Sequence, residues 1–269
     1  MGIYNSTPIY ISKQNAKILT WDTTQQHITG IFTKIVLNGY NNKVDIAFFQ
    51  QVNLDKLFFN NDLFKKILLN STMYAITYDS NVIAIWSPNI NINNILTYNN
   101  SLIKNMKEEA YGCMICWNIN KYTFKSCTYP SYQRKYDLSI RSTPWIKLRT
   151  NTDIKENIYC MSFHGNSKTD KILKYIINDM NTYCGKQKNV FLAGKINANK
   201  LQLPKPLYIS ENNEFTCFKK NIGLTKDHII TNCYVNNLVT SKYNKNKKFN
   251  SLLGNTKINR AQIHMDIIF

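Results

Sequence analysis

The sequence predicts one α+β domain, residues 16–269, preceded by an N-terminal extension, residues 1–15. Three observations indicate this. The chain has 269 residues, 43% of them hydrophobic, enough for a sizeable core. Apolar segments of strand length recur along the chain, whereas helical periodicity is confined to two segments. No segment has the composition of a linker, and no internal repeat is present.

The first half of the domain is predicted to be mainly β-structure. A helix is predicted over residues 55–69, where Leu57, Phe58, Phe64 and Ile67 recur at helical spacing. Alternating and apolar segments bounded by polar turns predict the strands. These are residues 16–21, 44–49, a hairpin over 74–86 that turns at 79–81, and 114–126.

The second half combines strands with one amphipathic helix. That helix is predicted over residues 168–183, with Ser167 as its N-cap and with Leu173, Ile176, Ile177 and Met180 as its apolar stripe. The predicted strands are the pair 144–149 and 158–163, then 190–193, 228–233 and 263–269. The Asn-rich segments 89–100 and 242–250 are predicted loops.

The charge is strongly positive, since 34 Lys and Arg residues outnumber 16 Asp and Glu residues to give +18. Such a charge excludes an acidic tail and favours polyanions, or the surface of a crowded assembly, as partners. Four of these cations are Arg and 38 residues are Asn, a bias typical of an AT-rich genome. Part of the charge is therefore expected to reflect codon usage, and a viral origin would suit it.

The compartment signals favour an intracellular protein, cytoplasmic, nuclear or virion-associated. No apolar run approaches the about 20 residues of a membrane helix, and no secretory signal is seen. The seven cysteines are an odd number and are scattered. The pair Cys113 and Cys116 has no second pair or suitably spaced His, so zinc is not expected. Residues 1–6 fit an N-myristoylation pattern at Gly2, but one acyl chain anchors only weakly.

A succession of strand-end motifs follows in chain order. It runs LTWD at 19–22, VDIAFFQQ at 44–51, SFH at 162–164, FLAGKINA at 191–198, KDHII at 226–230 and IH at 263–264. This order resembles the endonuclease/exonuclease/phosphatase superfamily with the DNase I-like fold, and within it the CdtB component of cytolethal distending toxin. The resemblance covers residues 16–269 and implies a four-layer α/β/β/α sandwich of two packed mixed sheets.

The resemblance implies a divalent-cation-dependent phosphodiesterase site, which this sequence retains only in part. His164, Asn197, Asp227 and His264 match the family's catalytic and phosphate-contacting positions. Gln51 stands where the family has a metal-binding Glu, and Lys195 where it has an Asp. Because a neutral amide is a poorer Mg²⁺ ligand and an ammonium repels the ion, we expect Mg²⁺ to be lost and no cofactor to be needed.

Two further positions differ from the family pattern. Asp22 replaces an Asn, and Ile263 replaces the Asp that precedes the last His. Each remaining site residue also has a purely structural interpretation, in packing or in satisfying a turn. Lysines at 195, 242, 245, 247 and 248 are candidate phosphate-binding residues, with Tyr243 available to stack; a solvated loop is the alternative.

Three functional hypotheses remain. The first, which we favour, is a catalytically inactive DNase I-like domain that acts as a structural or interaction module, through self-association or in a viral assembly. The second is a basic protein that binds DNA or RNA without cutting it. The third is a divergent, metal-independent hydrolase that uses His164 and His264, for example on RNA.

Overall fold

The computed structural model describes most of the core of the chain. The described residues are 15–23, 44–53, 65–70, 73–78, 81–88, 111–131, 142–165, 170–184, 188–196, 202–209, 216–219, 222–224, 226–244, 246, 248–252 and 257–268. The N-terminal extension, apart from residue 15, lies outside them. The domain boundaries therefore stay predictions.

The described residues form eighteen strands and one helix. In chain order they are β1 (Asn15–Asp22), β2 (Ile46–Asn53), β3 (Lys65–Asn70), β4 (Met73–Tyr78), β5 (Asn81–Pro88), β6 (Tyr111–Trp117), β7 (Tyr122–Thr128), β8 (Trp145–Thr150), β9 (Asn157–His164), α1 (Asp170–Tyr183), β10 (Lys188–Lys195), β11 (Tyr208–Ile209), β12 (Cys217–Lys219), β13 (Ile222–Leu224), β14 (Asp227–Thr231), β15 (Tyr234–Thr240), β16 (Phe249–Asn250), β17 (Lys257–Ile258) and β18 (Gln262–Ile268).

Two mixed sheets carry the fold. One has eight strands in the order β15-β18-β1-β2-β6-β5-β4-β3, and the other has six in the order β11-β14-β10-β9-β8-β7. Each sheet contains a parallel pair, β1 with β2 and β9 with β10. The strands β12 with β13, and β16 with β17, form two small antiparallel ribbons.

The core lies between the sheets and on their outer faces. Ile18, Phe48 and Ile115 of the large sheet meet Ile146 and Phe191 of the small sheet in one buried cluster. Alternation along each strand sends neighbouring residues to the outer faces. There α1 covers the small sheet with its predicted stripe of Leu173, Ile176, Ile177 and Met180, all of them buried.

The two packed mixed sheets confirm the predicted fold class. The helical layer is seen over the small sheet; among the described residues α1 is the one helix, so a second helical layer over the large sheet stays a prediction. No described helix is both long and apolar enough to span a membrane.

Several element predictions are confirmed and two are corrected. The hairpin of β4 and β5 and the pair β8 and β9 form as predicted. Residues 65–69, predicted as the end of a helix, instead form strand β3, because pairing with β4 at the sheet edge overrides an ambiguous apolar spacing; residues 55–64 lie outside the described part.

The predicted strand over residues 114–126 is in fact two strands, β6 and β7. Between them Asn118 makes a turn, its backbone oxygen accepting hydrogen bonds from the amides of Lys121 and Tyr122. The Asn118 side chain also accepts one from the amide of Asn120, the local bonding for which Asn is favoured in turns.

Candidate functional site

Strand ends from both sheets meet at one edge of the sandwich. In the large sheet the parallel register places Asp22 beside Gln50. In the small sheet Lys195 lies between His164 on β9 and Asp227 on β14. The carboxyl ends of the parallel pairs and the start of the antiparallel strand β14 lie at one edge, so topology brings these five residues together.

A buried hydrogen bond joins the two sheets directly beneath this edge. The Gln50 side chain is fully buried and donates from Nε2 to Oγ of Ser162 at 2.9 Å. The Ser162 hydroxyl in turn donates to the backbone oxygen of Phe49 at 2.9 Å. This bond fixes the spacing of the sheets where the strands end.

Gly194 is required by the same packing. Its φ of +133° is a conformation that side-chain-bearing residues rarely adopt. A Cβ at this position would also collide with the carbonyl oxygen of Phe163 and lie 2.9 Å from the Gln50 side chain. The FLAGK sequence therefore needs its glycine for backbone conformation and for close approach of the sheets.

A bulge in β2 turns Gln51 towards the small sheet. The pairing of β2 with β6 shifts register between Phe49 and Val52, and Gln51 adopts a φ of 54°. A left-handed conformation costs a non-glycine residue about 1–2 kcal/mol. The Nε2 atom of Gln51 thereby lies 2.7 Å from Nε2 of His164, across the gap between the sheets.

His164 is held between an amide and an ammonium. It is 6% exposed, and its Nε2 atom lies 3.4 Å from Nζ of Lys195 as well as near Gln51. Nε2 is therefore occupied by two polar neighbours, one from each sheet, and its role as donor or acceptor follows the tautomer of the ring.

Two carboxylates form the floor of the site. Asp22 is fully buried, and its Oδ2 atom lies 3.9 Å from Nε of Arg260. Asp227 is 1% exposed. Burial, with a smaller effect from the nearby Asp22 charge, raises the pKa of Asp227 to about 7, and a side-chain hydrogen bond with Thr216 acts to lower this pKa.

Cations lie above this floor. Lys195, Lys226 and Arg260 are all partly exposed, in contrast to the two buried acids. Burial lowers the pKa of Lys195, and the charges of Asp22 and Asp227 act in the opposite direction. We name these three cations with His164 and Gln51 the basic mouth. The site therefore presents positive charge towards solvent over negative charge beneath it.

The donor set does not fit the divalent cation that the family's chemistry uses. No cluster of three or more His, Cys, Asp or Glu residues occurs in the described part of the chain. The Asp22 carboxylate faces Arg260, and the charges of Lys195, Arg260 and Asp22 all act on Asp227. A hard cation needs several oxygen ligands, and here it would meet two fixed positive charges.

His264 is not brought to the site. It lies opposite Leu19 on β1, three positions before Asp22. Facing pairs share a side, and Leu19 belongs to the cluster on the outer face of the large sheet, so His264 points away from the small sheet. The predicted partnership of His164 and His264 at one site is therefore wrong. Asn197 lies outside the described residues.

Arg260 and Lys226 are the site residues that sequence reasoning missed. Arg260 stands just before β18, and the backbone amide of Ala261 donates to the oxygen of Thr216 at 3.0 Å. Oγ1 of Thr216 accepts from the amide of Lys226 at 2.9 Å. The position of Arg260 beside the last strand-end motif was the one sequence signal for it.

The predicted phosphate-binding loop lies at the adjoining edge. Of its lysines, Lys242 and Lys248 are exposed, while Lys245 and Lys247 lie outside the described residues. The amide of Ser241 donates to the oxygen of Gln262 at 2.9 Å, and Oε1 of Gln262 accepts from the amide of Leu252 at 2.8 Å. Both ends of the loop are thus anchored two residues from Arg260.

The remaining sequence motifs take no part in this site. Cys113 and Cys116 are buried in β6, where burial raises the pKa of the Cys116 thiol well above its usual range. No disulfide joins the cysteines of the described part of the chain, which are Cys113, Cys116, Cys127, Cys160, Cys184 and Cys233. Gly2 lies outside the described residues, so its lipidation stays a prediction.

Comparison with known proteins finds solved structures of the same fold. No family model and no curated protein sequence matches the chain. TDP2 of D. rerio with 14 humanising mutations has a TM-score of 0.53 at 10% identity, covering 94% of this chain and 98% of its own. An endonuclease/exonuclease/phosphatase family protein of Leptotrichia buccalis gives 0.53 at 16%, covering 94% and 100%.

A third solved structure has the same fold. ANGEL2, described as a 2′,3′-cyclic phosphatase, has a TM-score of 0.58 at 9% identity, covering 97% of both chains. At these identities the likeness concerns the fold. The order of strand-end motifs predicted the same fold, and the nearness to the toxin component stays a prediction. This chain therefore has the DNase I-like fold of the endonuclease/exonuclease/phosphatase superfamily.

Proposed function

We propose that this protein is a DNase I-like domain that has lost metal-dependent phosphodiester hydrolysis and acts as an interaction module. One observation carries the proposal: the Lys195 ammonium lies between His164 and Asp227 at the edge where the strands end, 3.4 Å from Nε2 of His164. The family pattern has a carboxylate at that position. At this position a carboxylate that could bind a metal cation is replaced by an ammonium that repels one.

The electrostatics of the cluster support loss of the metal. A divalent ion close to Asp22 and Asp227 would also lie close to Lys195 and Arg260, whose charges act on those carboxylates. At 4 Å each unit-charge repulsion is about 4 kcal/mol at an effective dielectric constant of 20. Gln51 offers an amide in place of the carboxylate that would offset this repulsion.

Metal-independent hydrolysis is disfavoured by the positions of the two histidines. Nε2 of His164 already faces the Gln51 side chain at 2.7 Å and Nζ of Lys195 at 3.4 Å. His264 lies on the outer face of the large sheet with Leu19. A general acid and a general base must both reach the reacting group, and these two residues do not share a site.

The proposal is tested by assaying the purified protein on plasmid DNA, RNA and a phosphoinositide, with Mg²⁺ or with EDTA. We expect no turnover under either condition. Cleavage that needs Mg²⁺ and is lost in His164→Ala would overturn the proposal. Cleavage in EDTA that is lost in His164→Ala would establish the metal-independent hydrolase instead. A His264→Ala variant is the matched control, because that side chain lies outside the site.

Nucleic-acid binding is the second candidate, favoured by the net charge of +18 and by the basic mouth. Among structures of the same fold, TDP2 of D. rerio was solved with a single-strand DNA product. Binding through phosphate contacts must weaken steeply with salt. Titration of DNA or RNA at several salt concentrations tests this candidate, and salt-insensitive or absent binding excludes it.

If the protein does not bind nucleic acid, we propose that it interacts with other protein chains. It would then self-associate or join a larger assembly of viral origin. Size-exclusion chromatography with light scattering distinguishes the two cases. A monomer that co-purifies with nucleic acid supports the second candidate, whereas a defined nuclease-resistant oligomer supports assembly.

A further inference from the structure

We propose that the basic mouth and the neighbouring loop together bind a single nucleic-acid strand without a divalent cation, a phosphate lying on Lys195 and Arg260 and a base stacking on Tyr243. This inference rests on the proposed loss of hydrolysis and names the ligand class of the same cleft.

The layering of charge selects an anion from solvent. Asp22 and Asp227 are at most 1% exposed, whereas the Arg260 side chain is 22% exposed and Lys195 is partly exposed. A ligand that enters the cleft therefore meets the cations before the acids. Arg260 approaches Asp22 only at 3.9 Å, longer than a good charge-assisted hydrogen bond. Its guanidinium is a fork suited to phosphate oxygens.

The loop and the cleft share one anchor. Residues 260–262 connect to the cleft through the bond from the Ala261 amide to the oxygen of Thr216 at 3.0 Å. They connect to the loop through Gln262, whose amide donates to Oγ of Ser241 at 2.9 Å. The register places Thr240, Ile263 and Thr20 side by side, so the loop follows β15 at the edge where β1 ends. With strands about 4.8 Å apart, it starts roughly 10 Å from β1.

Tyr243 has the properties of a stacking platform. Its side chain is 42% exposed, although it is a large aromatic residue. The ring packs edge-on against the buried Phe249, with centroids 5.4 Å apart and an interplanar angle of 63°. A backbone bridge between the same two residues adds to this support. Exposed lysines Lys242 and Lys248 flank it, the combination of aromatic and basic groups that binds single strands.

The test is fluorescence anisotropy of a labelled short single-stranded DNA in EDTA, over a range of salt. Lys195→Met removes the ammonium and keeps the chain length. Lys188→Met is its matched control, an exposed lysine at the opposite end of β10. We expect Lys195→Met to weaken binding about tenfold and to reduce the salt slope by about 0.7, one phosphate contact on a single strand, while Lys188→Met changes neither.

The stacking contact has its own pair of variants, which stays informative if Lys195→Met does not fold. Tyr243→Leu should weaken binding at least about fivefold, the low end for loss of one base stack, and Tyr243→Phe should restore it. Tyr234→Leu is the control, since Tyr234 is 67% exposed at the far end of β15. Equal effects of both members of either pair, or binding that requires Mg²⁺, would overturn the inference.

Gel analysis of the probe, after each titration in EDTA and after a parallel incubation in Mg²⁺, separates this inference from the proposed function. A bound and intact probe supports both. A bound probe that is cut contradicts the loss of hydrolysis and leaves the binding surface in place. An intact probe that is not bound overturns the binding surface alone.

Discussion

Nζ of Lys195 lies 3.4 Å from Nε2 of His164, on neighbouring parallel strands whose register places the two residues side by side. Lys195 thus lies against the histidine that the resemblance makes catalytic, at the position where the family pattern has an Asp. We therefore propose that this one residue bears on both elements of that chemistry, the cation site and the histidine.

Restoring the family's carboxylates should restore a cation site. We expect the double variant Gln51→Glu with Lys195→Asp to be stabilised by Mg²⁺ in thermal unfolding, by about 2.7 kcal/mol when Mg²⁺ is at 100 times its Kd. The native protein should show no such effect. Gln51→Glu with Lys188→Asp is the control with the same change in charge. Equal stabilisation of the native protein would show that a cation site is already present.

The stability of the native protein should fall as the pH rises from about 4 to about 7. The pKa of Asp227 is raised from 3.8 to about 7, mainly by burial, so in this window the folded state binds more protons than the unfolded chain. Asp227→Asn should therefore raise the free energy of unfolding at pH 8, on the order of 1–2 kcal/mol, and have less effect near pH 4. Urea unfolding at both values measures it.

The control for this pH effect is Asp266→Asn, at a partly exposed position of β18. It should leave the pH profile of the native protein unchanged. A profile that is the same in Asp227→Asn as in the native protein would assign the titration to another group.

Gly194→Ala should be strongly destabilising. The φ of +133° is unfavourable for alanine, and the added methyl group would meet both the Phe163 carbonyl and the Gln50 side chain. A loss of about 3 kcal/mol or more is expected from strain and overpacking together. Ala193→Gly, on the same strand, should cost only about 1 kcal/mol. Similar losses in the two variants would contradict the close approach of the sheets.

Ser162→Ala tests the hydrogen bond between the sheets. The buried amide of Gln50 would lose its Ser162 acceptor and keep the longer bond to Oγ1 of Thr20 at 3.3 Å, and the Phe49 oxygen would lose the Ser162 hydroxyl as a donor. An unsatisfied buried polar group costs about 1–3 kcal/mol, and the free energy of unfolding should fall by that amount. Ser126→Ala, at an exposed position of β7, is the control and should stay within about 0.5 kcal/mol of the native protein.

The spacing of apolar residues predicted the strands that pair with their neighbours in sequence, such as β4 with β5 and β8 with β9. It also predicted the helix α1, whose apolar face packs on the small sheet. The failures occurred where partners decide the structure. Residues 65–69 have an apolar spacing that suits either element, and pairing with β4 makes them a strand. The turn at 118–121 was missed because Ile119 interrupts its polar residues and keeps the segment similar to a strand, whereas the Asn118 backbone oxygen accepts two hydrogen bonds that close the turn.

The sequence alone determined the positions of Asp22, Gln51, His164, Lys195 and Asp227 at strand ends, because each follows or begins an apolar run of strand length. Through the resemblance it also predicted that Gln51 and Lys195 replace carboxylates of the family pattern. Tertiary structure alone decided that Arg260 joins this cluster and that His264 does not. The physical reason is register: a strand's period of two sets which face each residue takes, and only pairing with β1 fixes that face for His264.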